Sequence, residues 1–221
     1  MIILAKPTAR PLTSRQCSGG EGRDRPELDL LKQLLGRIDG ADGTAGALLT
    51  RFGGLGALLS ADASELRRAG LEDDVVLDLK TVRELAVLLS RTEAARRPVI
   101  ASWTALQDYV RIALAQCPRE QFRVLYLDHR NCLLQDEWRA EGTVDHAPVY
   151  PREVVRRALE LSASALVLVH NHPSGDPTPS QADIEMTRKV VEAARALGLQ
   201  VHDHLVVGRQ GTASFRALGL M

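Results

Sequence analysis

No apolar stretch of the chain is much longer than a β-strand, and the candidate from Ala163 to Val169, broken only by Ser164, runs directly into His170. A membrane span needs about 18 or more consecutive apolar residues, so none is predicted. The stretch reads instead as a buried strand, and its neighbours have other periods. A helix starting near Pro151 carries Val154, Val155, Ala158, Leu159 and Leu161, and a second runs from about Ser180 to Leu197, stopped by Gly198. Leu199 to Val207 is a further strand. Upstream, Ser102 caps a helix with Trp103, Leu106, Val110, Ala113 and Leu114 on one side, ending before Pro118. Phe122 to Leu127 and Cys132 to Glu141 then form a strand pair around a turn at His129 to Asn131. Strands alternating with helices predict an α/β domain built on a mixed sheet over residues 98–221.

The first half has a helical period throughout. Leu28, Leu31, Leu34 and Leu35 recur at turn spacing, and Asp62 to Glu65 matches a capping box ahead of Leu66. Glycine-bearing breaks at Gly36, Gly43, Gly53 to Gly56 and Gly70 divide the pieces. Leu79, Val82, Leu85, Ala86 and Leu89 predict one packed face of a longer last helix, and the polar stretch Arg91 to Pro98 a linker. Residues 26–97 are thus expected to be a small all-α unit. Residues 1–25, rich in Ser and Gly with little apolar periodicity, are expected to be a disordered basic arm.

Charge narrows the partners. The 28 basic side chains equal the 28 acidic ones. By segment the balance is +3 for residues 1–25, −2 for 26–97 and −1 for 98–221, so neither expected folded unit carries the basic excess of a protein that lives on phosphate backbone. Cys17, Cys117 and Cys132 lie far apart without C-x-x-C spacing, which predicts neither a disulfide framework nor a thiolate zinc cage. A cytoplasmic protein is the expectation, and the early Lys6 and Pro7 leave no apolar core for a signal peptide.

The chemistry is concentrated between His170 and Asp183. His170 and His172 stand two apart at the end of an extended run, which turns both imidazoles to one face. Pro173, Pro177 and Pro179, with Gly175, predict a stiff turn that brings the next helix back over them. Asp183 then sits in that helix's first turn, where the positive end of the helix dipole favours its carboxylate. Two His and one Asp leave a fourth zinc position open, the arrangement of a catalytic site. Ser180 and Asp183 also fit an S-x-x-D cap, which explains that pair but not the histidines.

The pattern His170-x-His172, seven residues, Ser180, two residues, Asp183 resembles the JAMM (MPN-plus) zinc metallopeptidase motif. Gly142-Thr143, the run from Val149 to Val154, the run from His170 to Asp176, and Asp203-His204 are similar to the bacterial RadC (UPF0758) family within it. The resemblance spans about Ser102 to the C-terminus. It implies a cytidine-deaminase-like mixed sheet flanked by helices and one Zn2+ per chain held by His170, His172 and Asp183. The implied reaction is attack of a zinc-bound water on the amide carbonyl of a peptide or isopeptide substrate. It further implies that Glu120, at the start of the first strand, activates the water, and that Ser180 supports the developing oxyanion. Spacing alone does not select Glu120 over Glu137, Glu141 or Glu153.

The helical unit lies where RadC proteins carry a helix-hairpin-helix-like domain, and the run from Leu49 to Gly56 is similar to its text. The turn that would meet DNA reads Gly70-Leu71-Glu72-Asp73-Asp74, and three carboxylates repel phosphates, so DNA binding is doubtful. The rival to the hydrolase reading is a DNA-repair or recombination accessory whose zinc domain is a binding module. A second pair, His202 and His204, is expected to support the ligands or bond within the core, with both rings on one face and Asp203 on the other. Arg152, Arg156 and Arg157 could form a basic strip, though a solvated helix face is the simpler reading. His129 and His146 need no function.

Overall fold

The computed structural model describes residues 26–36, 41–95, 98–99, 103–141 and 149–221. Residues 1–25, Ser102, Gly142-Thr143 and His146 lie outside them. Five helices come first: α1 (Pro26–Leu34), α2 (Ala41–Phe52), α3 (Leu55–Ser60), α4 (Ala63–Arg68) and α5 (Asp73–Ala95). Their inward residues, among them Leu31, Leu35, Leu58, Leu66 and Leu79, form one core. Asp62 stands at the N-cap of α4 but its side chain accepts no capping bond, so the expected box with Glu65 is not formed.

Two expectations for α5 need correction. Arg91 to Ala95 are helical, not a linker, because Ala94 is buried with Val99, Leu106, Tyr109 and Val110 in the core of the second half. Leu85, Ala86 and Leu89 are exposed, because beyond Leu79 the helix leaves the first core and turns Val87 and Arg83 toward the next element. That element is α6 (Trp103–Leu114), and Arg83 donates to the Ala113 carbonyl at 3.1 Å.

The sheet follows: β1 (Gln121–Leu127), β2 (Leu133–Glu141), α7 (Pro151–Glu160), β3 (Ala165–Asn171), α8 (Gln181–Ala196), β4 (Gln200–Gly208) and β5 (Gly211–Ser214). The strand order is β2-β1-β3-β4-β5, with β3 and β4 parallel and the other pairs antiparallel. This is the mixed α/β sheet expected, with β5 an addition that four short residues did not announce. Asn131, at φ 61, makes the β1–β2 turn, and Asp128 accepts the backbone N–H groups of Arg130 and Cys132. Pro151 opens α7, where its fixed φ suits a helix start.

Every residue of β3 is buried. Val167 and Val169 pack with Leu125 and Leu127 toward α6, whereas Leu166 and Leu168 pack with Phe122, Val124 and Tyr126 against α7 and α8. This strict alternation sets the face on which the next residues emerge. On β4 it is broken. Leu166 pairs with Val201 but Val167 pairs with Asp203, so His202 is an extra residue in the strand. His202 and Asp203 therefore line one cavity with Trp103, and His204 faces α8, contrary to the expectation that the two histidines share a face.

Candidate metal centre

β3 ends where its alternation points His170 toward α8, Asn171 toward α6 and His172 toward α8 again. His172 continues the sheet by donating its N–H to the Val207 carbonyl at 2.9 Å. The chain then turns: Gly175 N–H donates to the His172 carbonyl, and Gly175, at φ 95, accepts from Gln210 N–H at 3.0 Å. Arg209 donates to the Ser174 carbonyl from the same β4–β5 hairpin. The loop lies so close to β4 that a Cβ on Gly208 would stand 2.3 Å from the Gly175 carbonyl oxygen. The rigid return predicted from three prolines is thus completed by backbone contacts.

Ser180 caps α8 in a full capping box. Its hydroxyl accepts from Asp183 N–H, and its own N–H donates to Asp183 Oδ2 at 2.7 Å. The Ser180 hydroxyl also donates to Asp183 Oδ2 at 2.7 Å, so the cap that starts the helix also fixes the carboxylate. Asp183 Oδ1 lies 3.4 Å from His170 Nε2, and Oδ2 lies 3.5 Å from His172 Nε2. The two Nε2 atoms are 3.0 Å apart. His170, His172 and Asp183 form the one group of three such ligands among the described residues whose donor atoms all lie within 4.8 Å of one another.

The electrostatics suit a cation. Burial works to raise the Asp183 carboxyl, but hydrogen bonds and charge from His170 and His172, with the Ser180 bond, hold it well below the usual carboxylate range. The Asp183 bond raises His172 above an ordinary imidazole, against burial, helped by the Asp176 carbonyl and the charge of Glu120. His172 Nδ1 donates to that Asp176 carbonyl at 2.9 Å, so in the neutral ring Nε2 carries the lone pair and faces the site. Two imidazole nitrogens and a carboxylate fit zinc by type and number.

Glu120 immediately precedes β1. Phe122 pairs with His170, and extending that antiparallel register by two residues sets Glu120 opposite His172 on the α8 face. Its charge is felt at His172, but its carboxylate is not among the three converging groups. Of the other glutamates, Glu137 is paired with Arg157 at 2.5 Å and Glu153 with Arg156 at 3.1 Å. Those pairs also dispose of the basic strip: Arg156 and Arg157 both meet Glu160 as well.

The amino-acid pattern did not single out Asn171 or Thr187. The Asn171 carboxamide, 1% exposed, accepts from Gln121 N–H at 2.9 Å and donates to the carbonyls of Arg119 at 3.1 Å and Cys117 at 3.4 Å. It holds the chain on both sides of Glu120. The available signal was a polar residue of a buried strand standing opposite in phase to two candidate ligands. Thr187 follows Asp183 by four residues on α8 and precedes Val190 and Ala194 on the buried face, so it was the polar member of an apolar stripe. His204 is fully buried against it, and desolvation pushes its imidazole well below the ordinary value, so it is neutral.

Residues 100–220 match the family model of the RadC-like JAB domain. The chain belongs to this family. A UPF0758 protein of Rhodobacter capsulatus is 52% identical over 214 residues, covering 95% of this chain and all of that protein. A UPF0758 protein of Ruegeria pomeroyi is 47% identical over 214 residues, covering 95% of each. The RadC-like JAB domain therefore includes α6 to β5, with all three converging residues. No described helix is long and apolar enough to cross a membrane.

Proposed function

We propose that the chain is a zinc-dependent hydrolase of the JAMM type that cleaves a peptide or isopeptide amide beside His170, His172 and Asp183. The observation that carries this reading is the convergence of three lone-pair-bearing groups, two imidazole Nε2 atoms and one carboxylate, at the end of a fully buried strand. Uncompensated, such a group is costly, and a divalent cation is the partner that satisfies all three. Bound zinc would supply Lewis acidity toward the amide carbonyl and acidify a water. Glu120, opposite His172 in register, takes the proton from the attacking water and hands it to the leaving amine. Asn171 keeps Glu120 in place from the other face of the sheet. The Ser180 hydroxyl is engaged by Asp183, so its first role is to orient that ligand; support of an oxyanion requires the hydroxyl to turn away from Oδ2.

The accessory reading, in which the domain binds metal for a DNA-repair partner, draws no support from the helical unit. The turn between α4 and α5 carries Glu72 and the first turn of α5 carries Asp73 and Asp74, and the Asp74 carboxylate already accepts the Val75 N–H at the helix start a phosphate would use. Metal analysis of the purified full chain tests the proposal. Near one zinc per chain is expected, with loss in Asp183→Ala and retention in Glu120→Gln, which should lose hydrolysis of a fluorogenic peptide and isopeptide panel. Zinc retained by Asp183→Ala would overturn the ligand set, and full turnover by Glu120→Gln the assignment of the base.

A further inference from the structure

An imidazole presents a lone pair at Nε2 only when its other nitrogen carries the proton. For His172 the Asp176 carbonyl settles the matter, since a carbonyl only accepts. Among the described residues the His170 ring meets no carbonyl. Its Nδ1 lies 2.8 Å from Nε2 of His204, another imidazole that can either donate or accept.

The direction is decided two steps away. His204 Nδ1 lies 2.6 Å from the Thr187 hydroxyl oxygen, which lies 2.6 Å from the backbone carbonyl of Asp183. The hydroxyl has one proton, and at that distance the carbonyl requires it. Thr187 must then accept from His204 Nδ1–H, which leaves His204 Nε2 as an acceptor. His170 in turn donates from Nδ1 and keeps its Nε2 lone pair for the site. The opposite order would press the Thr187 and Asp183 oxygens together at 2.6 Å with no proton between them.

We propose that His204 and Thr187 are positioning residues of the metal centre: a relay from the Asp183 carbonyl through Thr187 and His204 fixes His170 as its Nδ1–H tautomer. The His204 ring has no freedom to change partners. It is 0% exposed, stacked on Phe215 with centroids 4.5 Å apart, and met edge-on by Phe122 at 5.8 Å. The relay joins β3, β4 and α8, and it begins on the backbone of a ligand residue. The helix turn that supplies the Asp183 carboxylate therefore also sets the protonation of the ligand opposite. Histidine ligands are commonly held by a carbonyl or a carboxylate; a neutral second imidazole orders its proton only because Thr187 orders it first.

This inference rests on the metal-holding reading of the site, and the test separates the two. Zn2+ affinity is measured by chelator competition on the full chain and on Thr187→Val, Thr187→Ser, His204→Leu and His204→Gln. Thr187→Val, nearly isosteric, and His204→Leu should bind zinc roughly 10–100-fold more weakly. Thr187→Ser and His204→Gln, whose amide oxygen can accept from His170 Nδ1–H, should recover most of the loss. Long-range 1H–15N imidazole spectra of the metal-free chain should show His170 as the Nδ1–H tautomer, and a mixture in Thr187→Val. Wild-type affinity in Thr187→Val, or His170 as the Nε2–H tautomer in the unsubstituted chain, would overturn the relay. No zinc uptake by the unsubstituted chain would overturn the metal reading, and the imidazole spectrum would still decide the relay.

Discussion

Replacing Asn171 by leucine removes the clamp on Glu120 while leaving every group of the candidate metal centre in place. The side chain makes three hydrogen bonds, to Gln121 N–H and to the Arg119 and Cys117 carbonyls. Each contributes about 1 kcal/mol net, and a partner left dry costs about 1–3 kcal/mol more. Two of the three contacts are only part-buried, so water recovers some of that cost, and leucine gains roughly 1 kcal/mol from added apolar burial. The balance is a loss of about 3 kcal/mol, which in a chain of this length lowers the melting midpoint by about 6–12 °C. Denaturant and thermal unfolding of the metal-free protein measure it. Zinc affinity should change little, because the Asn171 side chain bonds to none of the three ligands, whereas hydrolysis that depends on Glu120 should fall. An unchanged unfolding midpoint would refute the reasoning, since it would mean that the three bonds hold nothing. Asn171→Asp should be worse still at neutral pH, with a carboxylate oxygen set against two carbonyls.

Gly208→Ala places a methyl group 2.3 Å from the Gly175 carbonyl oxygen and 3.1 Å from Pro177 N, all rigid backbone. It should cost about 1–3 kcal/mol by overpacking and weaken zinc binding, because the loop that must shift carries the Asp176 carbonyl that orients His172; calorimetry with and without zinc reads both. His202 titrates below its ordinary value through burial and the nearby Arg216 charge. The unfolded chain thus takes the proton first as pH falls. Its contribution to stability is complete above about pH 6.5 and declines below it. His202→Gln should flatten that part of an acid unfolding profile, and an identical profile would refute the assignment.

The sequence carried the three converging residues and most of the sheet because their signals are local. His170 and His172 share a face through strand alternation alone, and Ser180 with Asp183 announces a helix start whichever use the carboxylate has. What stayed hidden depends on contacts between remote segments. Glu120 stands 50 residues before His170, and only the β1–β3 register brings them to one edge. His202 and His204 were put on one face because a β-bulge, set by pairing with β3, leaves no mark in the residues themselves. The end of α5 looked like a linker because Arg91 to Ala95 are mostly polar. Ala94 is helical and buried because α6 and the sheet behind it offer a core.

That helix has a thermodynamic consequence. α5 extends about 34 Å as one rod at 1.5 Å per residue, with Val75, Val76 and Leu79 in the core of the first half and Ala94 in the core of the second. Neither half can melt without withdrawing a wall from the other. Free energy supplied at one end, by an ion at β3 or by a partner on the helical unit, is therefore shared along the rod as resistance to unfolding at the other. Communication of this kind requires no hinge and no movement.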